Sequence, residues 1–234
     1  MDIILASTSP RRHQLLSLAD INFVTLAVDV DETILADERP QDYIVRMVQT
    51  KAQQACQLLL CRYNEVSQTQ SNQNSQSDQK SHQAKLSHQT SQSEDKQECQ
   101  YLIITADTIG VLADGQSILV KPVDKTDAFA MWQQMSGTEH SIWTAVQLTL
   151  VTDGGDVVCQ KNLLEKTSVK FIALDEAEMQ VYWETGEPQD KAGGYAIQGK
   201  GALWVERIEG SYSNVVGLPL AQTVAAIRQI QAQI

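Results

Sequence analysis

The sequence is poor in positive charge and has no long apolar run. Its 234 residues include 18 Lys and Arg against 29 Asp and Glu, which gives a net charge of −11. A protein that binds a nucleic-acid backbone needs a broad basic surface, so this charge argues against a nucleic-acid partner. No stretch approaches the roughly 20 apolar residues of a membrane helix, so we expect no membrane partner either.

Cysteine pairs and targeting signals are also missing. The four cysteines, Cys56, Cys61, Cys99 and Cys159, show no C-x-x-C spacing, which argues against a zinc cage or a disulfide framework. Residues 1–6 contain no basic segment, and their apolar run is too short for a signal peptide. We therefore expect a cytoplasmic protein.

One segment has almost no apolar side chains. Residues 67–100 are dominated by Gln and Ser, and their only apolar residues are Ala84, Leu86 and Cys99. These are too few to offset the entropy cost of ordering the backbone. We predict a disordered, flexible insertion within a single domain that spans residues 1–234. Hydrophobic residues make up 42% of the whole sequence, which is enough for a core.

Outside the insertion, strand and helix patterns alternate. We predict strands over 3–6, 21–27, 101–106, 140–151, 157–172 and 202–208, and a hairpin over 109–121 around Asp114-Gly115. Helices are predicted over 10–19 and 40–63, from the cap Asp124 to Gly137, from the capping box Asp175/Glu178 to Gly186, and from Pro219 onward. Hairpins among strand–helix units indicate an α/β fold with a mixed sheet between helices.

The segment 7–12, Ser-Thr-Ser-Pro-Arg-Arg, joins the first strand to the first helix. Two arginines in a first helical turn oppose the helix dipole at a cost of about 0.3–1 kcal/mol each, which makes sense if an anion binds there. The hydroxyls of Ser7 and Ser9 and the guanidinium groups of Arg11 and Arg12 would then converge on phosphate oxygens. A solvated basic turn with a serine cap explains the same pattern.

Acidic residues follow two of the predicted strands. Asp107 comes directly after an apolar strand, where the ligand sites of α/β sheets lie, so it could hold a cation or orient a water. An Asx turn is the alternative explanation. Glu32 ends an acidic run, Asp29-Val30-Asp31-Glu32, which suits a hard cation such as Mg²⁺ or simply a solvated loop.

Several basic residues give weaker signals. Lys121 ends the predicted hairpin, where its ammonium could meet a phosphate or act on a nearby carboxylate, although most lysines only solvate a surface. Arg46 and Lys51 lie on the helix after the acidic run. Their spacing of five residues does not place them squarely on one helix face, so it assigns them no joint role.

A glycine-rich run, residues 190–201, includes Lys191 and Gln198, which we predict to bind the substrate. Glycines allow a backbone to approach a ligand closely, and a glutamine side chain both donates and accepts hydrogen bonds, which suits the edge of a nucleobase. A tight turn between two elements would use the same residues.

Taken together, these segments resemble the Maf family of nucleoside triphosphate pyrophosphatases. The matching stretches are LASTSPRR at 5–12, ADTIGVL at 106–112, VKP at 120–122, MSGTEHSIWTAV at 135–146 and GEPQDKAGGYAIQGKGALWVERIEGSYSNVVGLPL at 186–220. The resemblance implies an α/β fold of the Maf/ITPase type, with an elongated mixed sheet, flanking helices and a central nucleotide-binding cleft. It also implies a homodimer and metal-dependent release of pyrophosphate.

The resemblance also implies roles for individual residues. The family's catalytic base falls on Asp107, and its base-specificity positions fall on Arg11, Thr108 and Gln198. Mg²⁺ or Mn²⁺ would be held by Asp107 and Glu32, while Arg11, Arg12 and Lys121 would hold the phosphates of a nucleoside triphosphate. Two features depart from the family pattern. They are the polar insertion, and Val120 where many members have Glu or Gly.

The SPRR and Ile-Gln-Gly forms of the motifs resemble the branch of the family that acts on dTTP and UTP. The other branch acts on 7-methyl-GTP and usually has an aromatic residue in place of Arg11. Two alternatives stay open: hydrolysis of 7-methyl-GTP or another modified nucleotide, and a non-enzymatic, nucleotide-binding role in the regulation of cell division.

Overall fold

The computed structural model describes residues 1–77 and 100–234, with the backbone alone described for 62–77 and for Asp190. In these residues the strands are β1 (Asp2–Leu5), β2 (Val24–Thr25), β3 (Gln100–Val111), β4 (Ile118–Leu119), β5 (Glu139–Thr152), β6 (Val157–Phe171) and β7 (Val205–Glu209). The helices are α1 (Pro10–Ser17), α2 (Pro40–Ser77), α3 (Lys125–Met135), α4 (Glu176–Trp183), α5 (Tyr212–Val216) and α6 (Leu220–Gln231). Three 3₁₀ turns lie at Glu187–Asp190, Ala192–Gly194 and Lys200–Trp204.

The strands form one mixed sheet, in the order β2-β1-β3-β5-β6-β7, with β4 paired to β3. β1 runs parallel to β2 and β3, and all other pairs are antiparallel. The 14 residues of β5 extend about 46 Å at a rise of about 3.3 Å per residue, so the sheet is elongated. The predicted α/β class with an elongated mixed sheet and flanking helices is confirmed. Of the helices just named, none has the length and apolar character needed to span a bilayer.

The sheet has a gap on one side of β3. β5 pairs with the whole of β3, so β1 and β4 must share the opposite edge. β1 pairs with residues 101–104 of that edge, while β4 pairs with Gly110 and Val111. Within the described chain, no strand covers the edge between them. Because this stretch of backbone is open, a ligand can approach the middle of the sheet there.

Side chains of β3 alternate between two helical layers. Odd-numbered residues face α2, as shown by Thr105, whose hydroxyl donates to the Val48 carbonyl oxygen at 3.0 Å. Even-numbered residues such as Ile104 pack with α1 and α6 in the opposite layer. Since successive side chains of a strand point to opposite faces, Asp107 and Thr108 lie on different sides of the sheet.

A separate cluster of buried side chains lies at the far end of the sheet, where α3 and α4 pack against β5 and β6. Its centre is Trp132, which is fully buried and contacts the rings of Phe129, Tyr182 and Trp204. The rings of Trp132 and Trp204 pack edge-to-face, an arrangement that contributes about 0.5–1.5 kcal/mol beyond the buried area. This rigid cluster supports the glycine-rich segment that follows α4.

Several predicted boundaries were wrong. β3 runs through Asp107 and Thr108 to Val111, so Asp107 lies inside a strand, where the full-length pairing with β5 keeps the backbone extended. α2, predicted to end near residue 63, continues to Ser77, because the sequence offers it no Gly or Pro. The helix therefore includes residues 67–77 of the predicted insertion, and residues 78–99 lie outside the described part.

Other boundaries differ by a few residues. β2 is limited to Val24–Thr25 because it pairs only with the last two residues of β1, and β7 begins at Val205 after a 3₁₀ turn. α1 ends at Ser17, and Ser9 occupies its N-cap position without a side-chain capping bond. The capping side chain of Asp124, the capping box of Asp175 and the hairpin joining β3 to β4 are confirmed.

Candidate active site

The side chains selected from the sequence line one cleft of about 920 Å³, which opens at the gap in the sheet. They are Ser7, Ser9, Arg11, Arg12, Glu32, Asp107, Thr108, Lys121, Lys191 and Gln198. These ten residues come from five separate segments of the chain. Their convergence follows from the topology, because β1, β3 and β4 each end at or cross the gap.

A buried ion pair lies at the wall that faces α2. The Lys51 Nζ atom is 2.5 Å from Asp107 Oδ1, and the two side chains are 10% and 11% exposed. The same ammonium donates to Glu32 Oε1 at 2.9 Å. Lys51 therefore joins the two carboxylates that the sequence proposed as metal ligands. Asp107 Oδ2 accepts no hydrogen bond from the described residues and remains available to a ligand or a water.

Electrostatics around Glu32 favour its ionised form. Partial burial opposes the charge of this carboxylate, but the hydrogen bond and charge of Lys51, with a smaller contribution from Lys121, outweigh it and hold the pKa of Glu32 below its ordinary value. Burial, followed by the negative charges of Asp107 and Glu32, raises the pKa of Tyr43, so its hydroxyl stays protonated. That hydroxyl donates to the Glu32 carbonyl oxygen at 3.1 Å.

The two arginines of the segment 7–12 differ in their surroundings. Arg12 donates to the Gly217 carbonyl oxygen at 2.9 Å, to Thr108 Oγ1 at 3.1 Å and to Ser7 Oγ at 3.3 Å. Its guanidinium thus joins the residues that follow β1 and α5 to the strand β3 in one wall. Burial lowers the pKa of Arg12, but a guanidinium remains charged at physiological pH.

Thr108 takes part in the same network. Its hydroxyl contacts Arg12 and also lies 3.0 Å from Thr144 Oγ1. The hydroxyl that the resemblance assigns to base recognition is therefore already engaged by protein atoms.

Three other side chains line the cleft and make few contacts with the protein. Arg11 and Gln198 make no side-chain hydrogen bond or ion pair with the residues that the structure describes. Lys121 is 62% exposed, and its ammonium lies 3.6 Å from Glu32 Oε2. These donors and acceptors can meet a nucleotide without first breaking strong protein contacts.

The segment that carries Lys191 and Gln198 is fixed at several points. The Gly193 amide donates to the Val120 carbonyl oxygen at 2.9 Å, and the Gly193 carbonyl oxygen accepts from the Trp132 indole at 3.2 Å. Gly194 has a φ of +66°, and a Cβ there would lie 3.1 Å from the same indole nitrogen. Only glycine suits this turn, because the backbone approaches Trp132 closely in a left-handed conformation.

A buried hydrogen bond continues this anchoring. The Tyr195 hydroxyl lies 2.8 Å from His140 Nε2, and both residues are almost completely buried. Tyr195 also lines the cleft, so the pair connects the segment 192–198 to β5.

Comparison with known proteins agrees with this geometry. A family model described as Maf-like protein matches residues 2–230. The chain belongs to the Maf family. It is 47% identical to a protein of Psychrobacter arcticus over 98% of this chain and 95% of the relative, and 46% identical to one of Psychrobacter cryohalolentis over 98% and 97%. A protein of Pseudoalteromonas atlantica is 40% identical over 94% and 93%. All three are named dTTP/UTP pyrophosphatase.

Sequence reasoning missed two residues of this Maf protein's cleft. Lys51 and Tyr43 line the cleft, and both lie on α2. From the sequence, only the acidic run before this helix was expected at the site. Lys51 lies on the buried face of α2, whose other side chains, such as Val48 and Ala52, are apolar. A lysine on a buried helix face needs a charged partner, and that signal could have pointed to the carboxylates.

Proposed function

We propose that this Maf protein hydrolyses dTTP and UTP to the nucleoside monophosphate and pyrophosphate. The observation that carries the proposal is the joint placement of Asp107 and of the cations Arg11 and Lys121 in one cleft. A triphosphate has up to four negative charges, so catalysis depends mainly on positioning and charge neutralisation. The substrate pair is supported by relatives that match nearly the full chain and are named for it.

In this reaction a water oxygen attacks the α-phosphorus, and the bond to the bridging oxygen breaks with its electron pair passing to pyrophosphate. Asp107 accepts the proton of the attacking water at Oδ2. Lys51 fixes the orientation of that carboxylate through Oδ1. Lys121, Arg11 and Lys191 would bind phosphate oxygens, while Arg12 keeps the wall between Ser7 and Thr108 in place.

The carboxylates fit a divalent cation. No group of three or more His, Cys, Asp or Glu side chains in the described residues could hold a metal, which argues against an all-protein metal cage. Asp107 and Glu32 bind the same ammonium and so lie near each other. One or two carboxylates together with substrate phosphates are the usual ligands of Mg²⁺ in nucleotide enzymes. When bound, Mg²⁺ or Mn²⁺ supplies positive charge that neutralises phosphate oxygens.

Base recognition is assigned to Gln198 and Arg11, which offer an amide and a guanidinium to the pyrimidine edge. The resemblance also assigns Thr108 to base recognition. Because its hydroxyl accepts a hydrogen bond from Arg12, it would contribute by fixing the wall of the base site. Ser9 and Ser7 lie beside Arg11 at the start of α1 and would contribute hydroxyls to the phosphate site.

Pyrophosphate release across a panel of nucleoside triphosphates with Mg²⁺ or Mn²⁺ tests the proposal. We expect the highest kcat/KM for dTTP and UTP. Asp107→Asn removes the charge but keeps the size, and it should lower turnover by at least the roughly 10²–10⁴-fold typical of general-base removal. Asp114→Asn, in the exposed hairpin turn, is the matched control. A preference for 7-methyl-GTP, or nucleotide binding without turnover, would contradict the assignment, as would an Asp107→Asn variant close to wild type.

We further propose that the chain acts as a homodimer in the cytoplasm and forms a single domain over residues 1–234. The family match over residues 2–230 supports one continuous domain. Light scattering after size-exclusion chromatography should give twice the chain mass of 25.9 kDa. A mass of one chain would contradict the dimer.

A further inference from the structure

Residues 29–38, here called the acidic loop, connect β2 to α2 and carry Glu32 to the cleft. One side of α2 binds this loop along its length. Gln54 accepts from the Asp29 amide at 2.7 Å and donates to the Asp29 carbonyl oxygen at 2.6 Å. Tyr43 and Lys51 bind the backbone and the carboxylate of Glu32.

Arg46 makes a bidentate contact with the acidic loop. Its Nε and Nη2 atoms donate to the two carboxylate oxygens of Glu38, both at 2.6 Å, and Nη2 also donates to the Thr33 carbonyl oxygen at 2.9 Å. A bidentate pair of this kind is charge-assisted and fixes orientation as well as distance. Thr33 directly follows Glu32, so Arg46 holds the backbone next to the carboxylate that faces the cleft.

Glu38 transmits this contact into the loop. Its Oε2 atom accepts from the Leu35 amide at 3.0 Å, and the hydrogen bond from Arg46 holds the pKa of Glu38 below its ordinary value. The backbone at Leu35 is thereby hydrogen-bonded to the Glu38 carboxylate, which Arg46 holds in place. By contrast, the nearby pair Arg39–Asp42 is 78% and 51% exposed and joins residues at the start of α2 only.

We propose that Arg46 is a positioning residue, which places Glu32 for its role in the cleft by holding the Thr33 carbonyl and Glu38. The inference rests on the proposed function, because it takes Glu32 to be a ligand of the divalent cation. Arg46 is outside the cleft lining and makes no hydrogen bond to Asp107. Its guanidinium also lies 5.4 Å from the ring centroid of Tyr43, whose hydroxyl binds the Glu32 carbonyl oxygen, so this second contact supports the same stretch of the acidic loop.

The test compares Arg46→Ala, Arg46→Lys and the control Arg39→Ala. Loss of a residue that orients a metal ligand typically weakens metal affinity about 10–100-fold, so Arg46→Ala should raise the Mn²⁺ concentration for half-maximal activity about tenfold, with a smaller change in kcat. Arg46→Lys keeps the charge but loses the bidentate geometry, so its Mn²⁺ requirement should lie between those of wild type and Arg46→Ala. Arg39→Ala should match wild type.

Hydrogen exchange gives a readout that does not require activity. Without Arg46 the Glu38 carboxylate is freed, so the Leu35 amide should exchange at least about threefold faster, as expected for one weakened hydrogen bond. Amides in the middle of β5 serve as internal reference, since unchanged exchange there shows that the variant is folded. Glu38→Gln, a milder change, should accelerate the same amide.

The double variant with Glu32→Gln decides between positioning and general damage. If Arg46 acts through Glu32, Arg46→Ala should cause no further rise in the Mn²⁺ requirement of Glu32→Gln. Two results would overturn the positioning role while leaving the proposed function intact. One is a Mn²⁺ requirement of the double variant that equals the product of the two single increases. The other is an Arg46→Ala variant with the same Mn²⁺ requirement as Arg39→Ala. A Glu32→Gln variant with the Mn²⁺ requirement of wild type would overturn the metal-binding assignment of Glu32, and the positioning role with it.

Discussion

Lys51→Met is expected to destabilise the protein strongly, because it leaves two carboxylates without their shared cation. The substitution keeps an unbranched side chain of similar length, so packing changes little. Removing one partner of a buried ion pair costs about 3–5 kcal/mol. Water in the cleft can reach Asp107, which is 11% exposed, so we expect the lower end of the range, about 3 kcal/mol.

Thermal and urea denaturation measure this loss. For a chain of this size each kcal/mol shifts the Tm by about 2–4 °C, so Lys51→Met should lower the Tm by about 6–12 °C. Lys121→Met is the control for stability, because Lys121 is 62% exposed and an exposed ion pair contributes only about 0–1 kcal/mol.

A double variant separates the ion pair from other effects of the substitution. Asp107→Asn alone should cost less than Lys51→Met, since Lys51 keeps Glu32 as a partner at 2.9 Å. Combining the two substitutions removes both charges and should recover part of the loss. A Lys51→Met variant no less stable than Lys121→Met would refute the reasoning.

Two further predictions concern base selectivity and pH. Gln198→Ala should lower kcat/KM for dTTP and UTP more than for purine nucleotides, because the unpaired amide reads the base; an unchanged pyrimidine-to-purine ratio would contradict this. Burial lowers the pKa of His140 from 6.5 to about 4, so the unfolded chain takes up a proton that the folded chain excludes. The stability contributed by neutral His140 is complete above about pH 6.5 and falls by up to about 3 kcal/mol as the pH drops to 4. In urea denaturation between pH 7 and 4, the free energy of unfolding should fall less for His140→Gln than for wild type. Parallel pH curves for the two proteins would contradict the role of neutral His140.

Local patterns predicted much of the fold. The capping residues Asp124 and Asp175 and the Asp-Gly turn of the β3–β4 hairpin lie where the sequence places them, because each signal acts within a few residues. Boundaries that depend on pairing partners were less accurate. β3 continues past Ala106 since β5 pairs with it throughout, and β2 is short since only two residues of β1 are available to it.

The sequence motifs alone identified ten side chains of the cleft, among them Asp107 and Gln198, but not Lys51 or Tyr43. How these side chains are paired depends on the tertiary structure. Asp107 and Lys51 are 56 positions apart, and Arg12 binds a carbonyl 205 positions away. Such contacts depend on sheet order and on which face of a strand or helix a side chain occupies, and neighbouring residues do not encode these features. Hence Arg11 and Arg12, adjacent and chemically identical, differ in role: Arg12 fastens the wall of the cleft, and Arg11 is left free to meet a ligand.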